Sequence, residues 1–167
     1  MKKLITGIAA VVFSMGIAAV AAAVTDTASH TVTITMPNLD LIAVSGTPGT
    51  LTIAEPTTLA ESSVPMYSNE DTSTRLLWLT NRSGRKVTAE LDEALPADLK
   101  LLVTVTPTAG KGTSAGEVEL AYNSAKNVVT EISKVLEWNA EIKYRASATA
   151  EVEDTTETPT VTYTITN

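Results

Sequence analysis

The alternation of threonine with apolar residues constrains this chain more than any other feature. In Thr31-Val32-Thr33-Ile34-Thr35-Met36 and again in Thr160-Val161-Thr162-Tyr163-Thr164-Ile165-Thr166, every second residue is apolar. A repeat of two is the period of a β-strand, whose successive side chains point to opposite faces. Lys86–Asp92, Leu99–Thr106 and Ala140–Ala148 follow the same rule with Lys, Glu, Asp and Arg on the wet face. Threonine makes up 28 of the 167 residues, and a β-branched side chain favours strand over helix. Segments with one dry and one wet face are those of antiparallel sheets.

Shorter segments fill the intervals. Leu39–Val44 and Leu51–Ala54 read as strands around the turn cluster Ser45-Gly46-Thr47-Pro48-Gly49-Thr50. Leu76-Leu77-Trp78-Leu79 is apolar on both faces and fits a central or covered strand, with Trp78 in the core. Asn81-Arg82-Ser83-Gly84 then turns the chain into the next strand as a hairpin. Glu117–Ala121 reads as a short strand, Ala109–Gly116 as a flexible loop and Pro56–Asp71 as a longer polar loop. Residues 126–137 stay open between helix and strand. Val128, Val129, Ile132, Val135 and Leu136 make a helical stripe, yet Val128, Val129, Thr130 and Ile132 are β-branched.

Eight or nine strands with closely spaced turns predict an all-β fold, an immunoglobulin-like antiparallel β-sandwich; a β-barrel is the alternative. A transmembrane barrel is disfavoured because the outward positions carry Lys, Glu and Thr instead of an apolar band. The expected core is Leu41, Ile53, Leu79, Val87, Leu91, Leu101, Val103, Val105, Leu120, Ile142, Tyr144, Val161 and Tyr163. Each large side chain contributes roughly 1.5–3 kcal/mol when buried.

The N-terminus reads as an export signal over residues 1–23. Met1-Lys2-Lys3 is basic, no charge follows until Asp26, and the apolar stretch ends in the small run Ala18–Ala23. Cleavage after Ala23 would leave residues 24–167 as a single sandwich domain. An uncleaved anchor is the alternative, since about 20 apolar residues span a bilayer. The chain has no cysteine, which excludes a disulfide scaffold, a thiolate metal site and a lipoprotein anchor. A net charge of −7 disfavours nucleic acid as a partner, because phosphate binding needs clustered Lys and Arg. Together these features point to a secreted or cell-surface protein, with the periplasm as the alternative.

Candidate chemistry is sparse. His30, the one histidine, lies near Asp26 and Ser29, but a triad needs a rigid geometry and an oxyanion hole. No nucleophile elbow, zincin, P-loop or dinucleotide motif occurs. Glu151, Glu153, Asp154 and Glu157 form an acidic cluster, and Asn69, Glu70 and Asp71 a smaller one; neither follows a known calcium-loop pattern, and solvated loops are the expectation. Glu90 and Asp92 share a strand face without the cleft that glycosidases need. Asn81-Arg82-Ser83 fits a glycosylation sequon and reads as a turn. Trp138 lies in the ambiguous segment and is a candidate ligand contact, for carbohydrate. The reading is therefore of a non-enzyme with no catalytic residue, no metal and no cofactor.

The terminal segments carry the most suggestive information. A strand with alternating apolar residues can join a neighbour's open sheet edge, with main-chain hydrogen bonds giving affinity and alternate side chains filling pockets. Contacts of that kind that do not close build filaments. Residues 24–36 are a candidate donor strand, and pairing within the chain's own domain is the alternative.

The order of the Thr/Val N-terminal segment, Arg85-Lys86-Val87-Thr88-Ala89, Leu95-Pro96-Ala97-Asp98-Leu99, the Gly110–Gly116 loop and Thr160–Thr166 resembles small secreted, Thr-rich all-β surface proteins of bacteria. More loosely, it is similar to the Cys-free fimbrial major subunits of the alternate chaperone–usher class. That resemblance implies an immunoglobulin-like fold with an N-terminal donor strand whose inserted residues would be Val32, Ile34 and Met36. The chain differs from disulfide-bearing fimbrial subunits in lacking cysteine and in placing Tyr163 fifth from its end. The functional expectation is an extracellular structural or adhesive subunit that self-associates through terminal strands. The alternative is a monomeric secreted or periplasmic binding module for carbohydrate or protein.

Overall fold

The computed structural model describes residues 28–55, 57 and 65–167; the expected leader and the start of the expected donor segment lie outside the described residues. Among the described residues ten strands follow in order: β1 (Asp40–Ser45), β2 (Met66–Tyr67), β3 (Asp71–Thr80), β4 (Arg85–Leu91), β5 (Leu99–Thr106), β6 (Thr113–Ser114), β7 (Glu117–Glu119), β8 (Lys126–Ile132), β9 (Val135–Ala148) and β10 (Val161–Thr166). They form two antiparallel sheets. The six-stranded sheet runs β1-β3-β9-β5-β7, with β2 also paired to β9; the four-stranded sheet runs β10-β4-β8-β6. The all-β expectation holds. The compact unit that carries both sheets spans Met36–Asn167.

One apolar core lies between the sheets. Leu76 and Trp78 of β3, Val103 and Val105 of β5, and Ile142 and Tyr144 of β9 pack against Val87, Ala89 and Leu91 of β4, Val128, Val129 and Ile132 of β8, and Tyr163 of β10. Their spacing of two within most strands is the alternation read from the sequence, so both inner faces are dry. The Tyr144 and Tyr163 hydroxyls meet at 2.8 Å inside this core and join the sheets. Burial raises the pKa of both phenols, so the pair stays neutral and each hydroxyl keeps its partner.

Residues 126–132 and 135–137 resolve as strand, with Ser133 and Lys134 between them. The apparent helical spacing comes from bulges: the β4–β8 register shifts between Arg85 and Val87 and again between Val87 and Thr88. Each shift inserts an extra residue into the strand, so the consecutive Val128 and Val129 both point inward and Ile132 follows them into the core. Glu131, at φ 58°, takes up the left-handed backbone that such an irregularity needs. The chain then changes sheets through Ser133 and Lys134, and Lys134 N donates to Arg82 O at 2.9 Å.

The structure corrects several local expectations. Leu41 and Leu79 are not core residues. They stand opposite each other in the β1–β3 ladder, with Leu136 next to Leu79 on β9, and all three face outward because the inward row of β3 is Leu76 and Trp78. Leu41 is 59% exposed. Ile53, Leu101 and Val161 are half-buried. Residues 51–54 form only an isolated bridge, Ile53 to Ser68. The loop at 109–116 contains β6, and the polar loop before Asp71 contains β2. Residues 28–39, expected to include a strand at 31–36, have no regular structure.

Two variants probe this core. Gly112 has φ 147°, and a Cβ there would lie 2.8 Å from Val129 Cγ1 and 3.1 Å from Ile132 Cγ1. Gly112→Ala should destabilise by about 1–3 kcal/mol through overpacking, measured as a lower urea midpoint. Tyr163→Phe leaves the Tyr144 hydroxyl buried without its partner and should cost about 1–2 kcal/mol in the same assay.

Candidate functional site

The candidate donor residues are exposed: Val32 is 67%, Ile34 87% and Met36 68% exposed. Their backbone joins no sheet among the described residues. From Pro37 onward the chain is fixed. The Asn81 side chain accepts from Leu39 N at 2.9 Å and donates to Pro37 O at 2.7 Å, which secures the approach to β1. Asn81, the asparagine of the apparent sequon, therefore acts as a turn residue.

β1 and β10 are the edges of their sheets on one side of the sandwich, and they approach each other there. A buried guanidinium closes one end of this seam. Arg85 donates to both oxygens of Asp40 on β1 and to Asn167 Oδ1 just beyond β10. Thr80 Oγ1 also donates to Asp40 at 2.7 Å, and Arg82 lies 3.5 Å away. The hydrogen bond from Arg85, followed by that from Thr80, holds the Asp40 carboxyl below the usual carboxylate range. The other end of the seam is wetter. Val44 stands opposite the fully buried Leu76 and so belongs to the inner face, yet it is 50% exposed.

Trp138 occupies a different surface, the outer face of the six-stranded sheet. It lies in a bulge of β9, where the pairing jumps from Leu76–Ala140 to Trp78–Glu137. The bulge is braced from inside. The buried Glu137 carboxylate accepts from Trp138 N at 2.8 Å, Asn139 N at 2.9 Å, Thr108 N at 2.8 Å and Thr108 Oγ1 at 3.1 Å. Burial pushes its pKa up, but these hydrogen bonds outweigh burial and hold it below the usual value. The result is an indole 73% exposed on a fixed backbone. On one side are Leu136, Leu79 and Leu41; on the other, Asn139 accepts from Arg75 Nε at 3.2 Å, and Glu141 pairs with Arg75.

The remaining candidates serve the scaffold or stand apart. Asn69 bonds to Thr52 N and Thr50 O, and Asp71 accepts from Gly49 N and from Ser73; both fasten the 47–52 loop to the start of β3. Glu70 pairs with Lys143. Asp92 accepts from Thr160 N at 2.7 Å and fixes the start of β10, while Glu90 lies opposite Thr162. Glu151, Glu153, Asp154 and Glu157 are exposed, and no group of three metal-ligating side chains forms among the described residues. Ser29 and His30 are exposed, and Asp26 lies outside the described residues. A cleft of about 250 Å³ opens beside Tyr67, Lys100, Glu117 and Glu119. Its charges are already paired, Lys100 with Glu119 and Arg145 with Glu117, and Arg145 stacks 4.2 Å from the Tyr67 ring centre. Among the described residues no helix is long and apolar enough to cross a membrane.

Sequence reasoning missed Glu137 and Arg85. Arg85 occupies an inward position of the Val87-Ala89-Leu91 alternation, and that mismatch was the available signal; for Glu137 the alternation of Ala140–Ala148, extended backward, calls for an outward side chain, and the bulge between Glu137 and Ala140 reverses it. Comparison with known protein families, curated proteins and solved structures finds no match.

Glu137→Gln should destabilise the protein by about 1–3 kcal/mol, because an amide cannot accept from all four donors. These hydrogen bonds hold the folded-state pKa of Glu137 below the ordinary carboxylate range, so its stabilisation is complete above that range and is lost as pH falls through the lowered value. The stability gap between wild type and variant should therefore narrow on acidification, measured by urea titration at several pH values.

Proposed function

We propose that this protein is a non-enzymatic extracellular structural or adhesive subunit, and that copies associate by donating the Thr31–Met36 segment to an open sheet edge of a neighbour. The observation that carries this reading is the exposure of Val32, Ile34 and Met36 on a segment that joins no sheet among the described residues. Three apolar side chains in strict alternation have one evident use in strand geometry, which is to cover a dry face. Strand addition gives them that face and satisfies the backbone at the same time.

The fold proposed here is immunoglobulin-like. The order β1-β3-β9-β5 follows the A-B-E-D sheet of that architecture, and the β4–β10 pair follows its C–F pair. On this assignment β6, β7 and β8 are an insertion between the D and E strands. The export signal expected over residues 1–23 supports a location outside the cytoplasm.

Trp138 favours a second reading, a surface module for carbohydrate. An exposed indole on a braced bulge, with Asn139, Arg75 and Glu141 close by in the ladder, offers a stacking plane beside polar groups.

The two readings separate experimentally. Purified protein should form multimers or filaments in electron microscopy and size exclusion, and Ile34→Asp should reduce assembly at least tenfold with unchanged circular dichroism. Unaltered assembly by Ile34→Asp would remove strand donation. Glycan-array binding by a strictly monomeric protein, lost in Trp138→Ala, would establish the module reading in its place.

A further inference from the structure

We infer that the apolar half of the outer face of the six-stranded sheet is a self-association surface, and that a second copy of this chain packs on it face to face, about a two-fold axis lying along β3. The contact is independent of strand donation, which uses a sheet edge and the N-terminal segment. The ladder register defines the surface. Leu41, Leu79 and Leu136 form one row across β1, β3 and β9, and Ala43, Leu77 and the Trp138–Asn139 bulge form the next. Leu77 lies between the buried Leu76 and Trp78 and so faces outward, and Ala43 follows Ile42, which packs against the core. Neither row holds a charged side chain. Beyond the second row come Ser45, Arg75 and Glu141, with Arg75 paired to Glu141; beyond the first comes the turn after β3, whose Arg82 is paired to Asp40. Covering the two rows therefore leaves no charge without a partner.

The relief of this surface is complementary to itself. Trp138 is its high point, a large ring mostly in solvent. Ala43 is its low point, a single methyl group on the edge strand, on the far side of Leu77. A two-fold axis along β3 exchanges β1 with β9. Each indole then stands over the other copy's Ala43, each Leu41 stands over Leu136 of the other copy, and Leu79 meets Leu79. Isologous contacts exchange residues in this way. Two sheets stacked with large side chains interlocking also repeat the packing that holds the protein's own core.

Charge and rigidity select the occupant. The molecule has a net charge of −7, so copies repel one another over much of their surface. An uncharged face is where two of them can meet, and a strongly charged partner of either sign finds nothing complementary there. Small-molecule sites are concave, and the cleft beside Tyr67 lies on the charged half of the sheet. Glu137 accepts from the backbone of both Trp138 and Asn139, so the bulge has little order left to lose on association. A rigid tryptophan seated over a small residue is the kind of anchor that supplies most of an interface's energy. Three strands by the five residues of Leu41–Ser45 cover about 250 Å² in plan at ordinary strand spacing. That is at the small end for a specific contact, so the dimer is a reversible one.

Sedimentation equilibrium on the Ile34→Asp protein, in which strand donation is blocked, tests the contact. A monomer–dimer equilibrium in the micromolar range or weaker is expected. Added NaCl should strengthen it, because salt screens the like charges of the two copies. Trp138→Ala removes the knob and Ala43→Trp fills the hollow; both positions are exposed, and circular dichroism should not change. Each should weaken the dimer about tenfold or more. The double variant Ala43→Trp/Trp138→Ala exchanges knob and hollow and should recover the affinity to within about threefold. Tyr122→Ala, which removes an exposed ring elsewhere, should leave the dimer unchanged. A monomer at every concentration, a dimer indifferent to Trp138→Ala, a double variant no tighter than either single one, or association that weakens with salt would each overturn the inference. So would a strictly monomeric protein that binds glycans or phosphatidylcholine vesicles through Trp138. Filaments that survive Ile34→Asp would count against strand donation alone, and the Trp138 and Ala43 variants would still decide the dimer.

Discussion

The whole molecule depends on two sheets sharing one dry interior. Each long strand gives its inward row to that interior, and no other large apolar layer exists among the described residues. This requirement shapes the backbone as much as the side chains. In β8, Val128 and Val129 are consecutive, and a regular strand would turn one of them to water. The register shifts opposite Val87 let both enter the core. Losing ladder regularity is the lesser cost, because each buried valine recovers roughly 1.5–3 kcal/mol. The Tyr144–Tyr163 contact adds a directional link to an otherwise non-directional core.

Polar side chains then fix what the core cannot. Arg85 with Asp40 and Asn167, Glu137 with Thr108 and the bulge, Asn81 with Pro37 and Leu39, and Asp92 with Thr160 each bind a loop or strand end to the sandwich. Several acidic residues that invite a metal or catalytic interpretation are engaged in this way. A carboxylate that accepts several backbone N–H groups stays ionised and rigid, which suits a scaffold better than proton transfer. Glu137 shows how far such a brace extends, since the bulge it holds is what presents Trp138 to solvent.

Surface chemistry divides the outside of the molecule. One half of the outer face of the large sheet carries paired charges, Glu117 with Arg145 and Lys100 with Glu119; the other carries Leu41, Leu79, Leu136 and Trp138. The edges divide as well, with β7 and β1 bearing charge and β10 bearing none. An uncharged edge is a weakness in a solitary protein and an asset in one that assembles. Val32, Ile34 and Met36 add exposed apolar surface on a segment that joins no sheet among the described residues.

The sequence by itself determined which segments are strands wherever alternation was long and charged residues marked the wet face. Lys86–Asp92, Leu99–Thr106 and Thr160–Thr166 match β4, β5 and β10 to within a residue at each end, while Ala140–Ala148 is the last part of a longer strand, β9, that begins at Val135. Alternation names the two faces of a strand, but not which of them a neighbour covers. Leu41 and Leu79 show this, as apolar as any core residue and yet outward, because Leu76 and Trp78 take the inner row. Tertiary structure also decided that residues 126–132 and 135–137 are strand, since bulges imitate a helical stripe, and that Glu137 and Arg85 belong inside, since their partners Thr108 and Asp40 are distant in the chain. For Thr31–Met36 a strand-like pattern found no partner among the described residues. A strand is a relation between two segments, and a local pattern can specify only one of them.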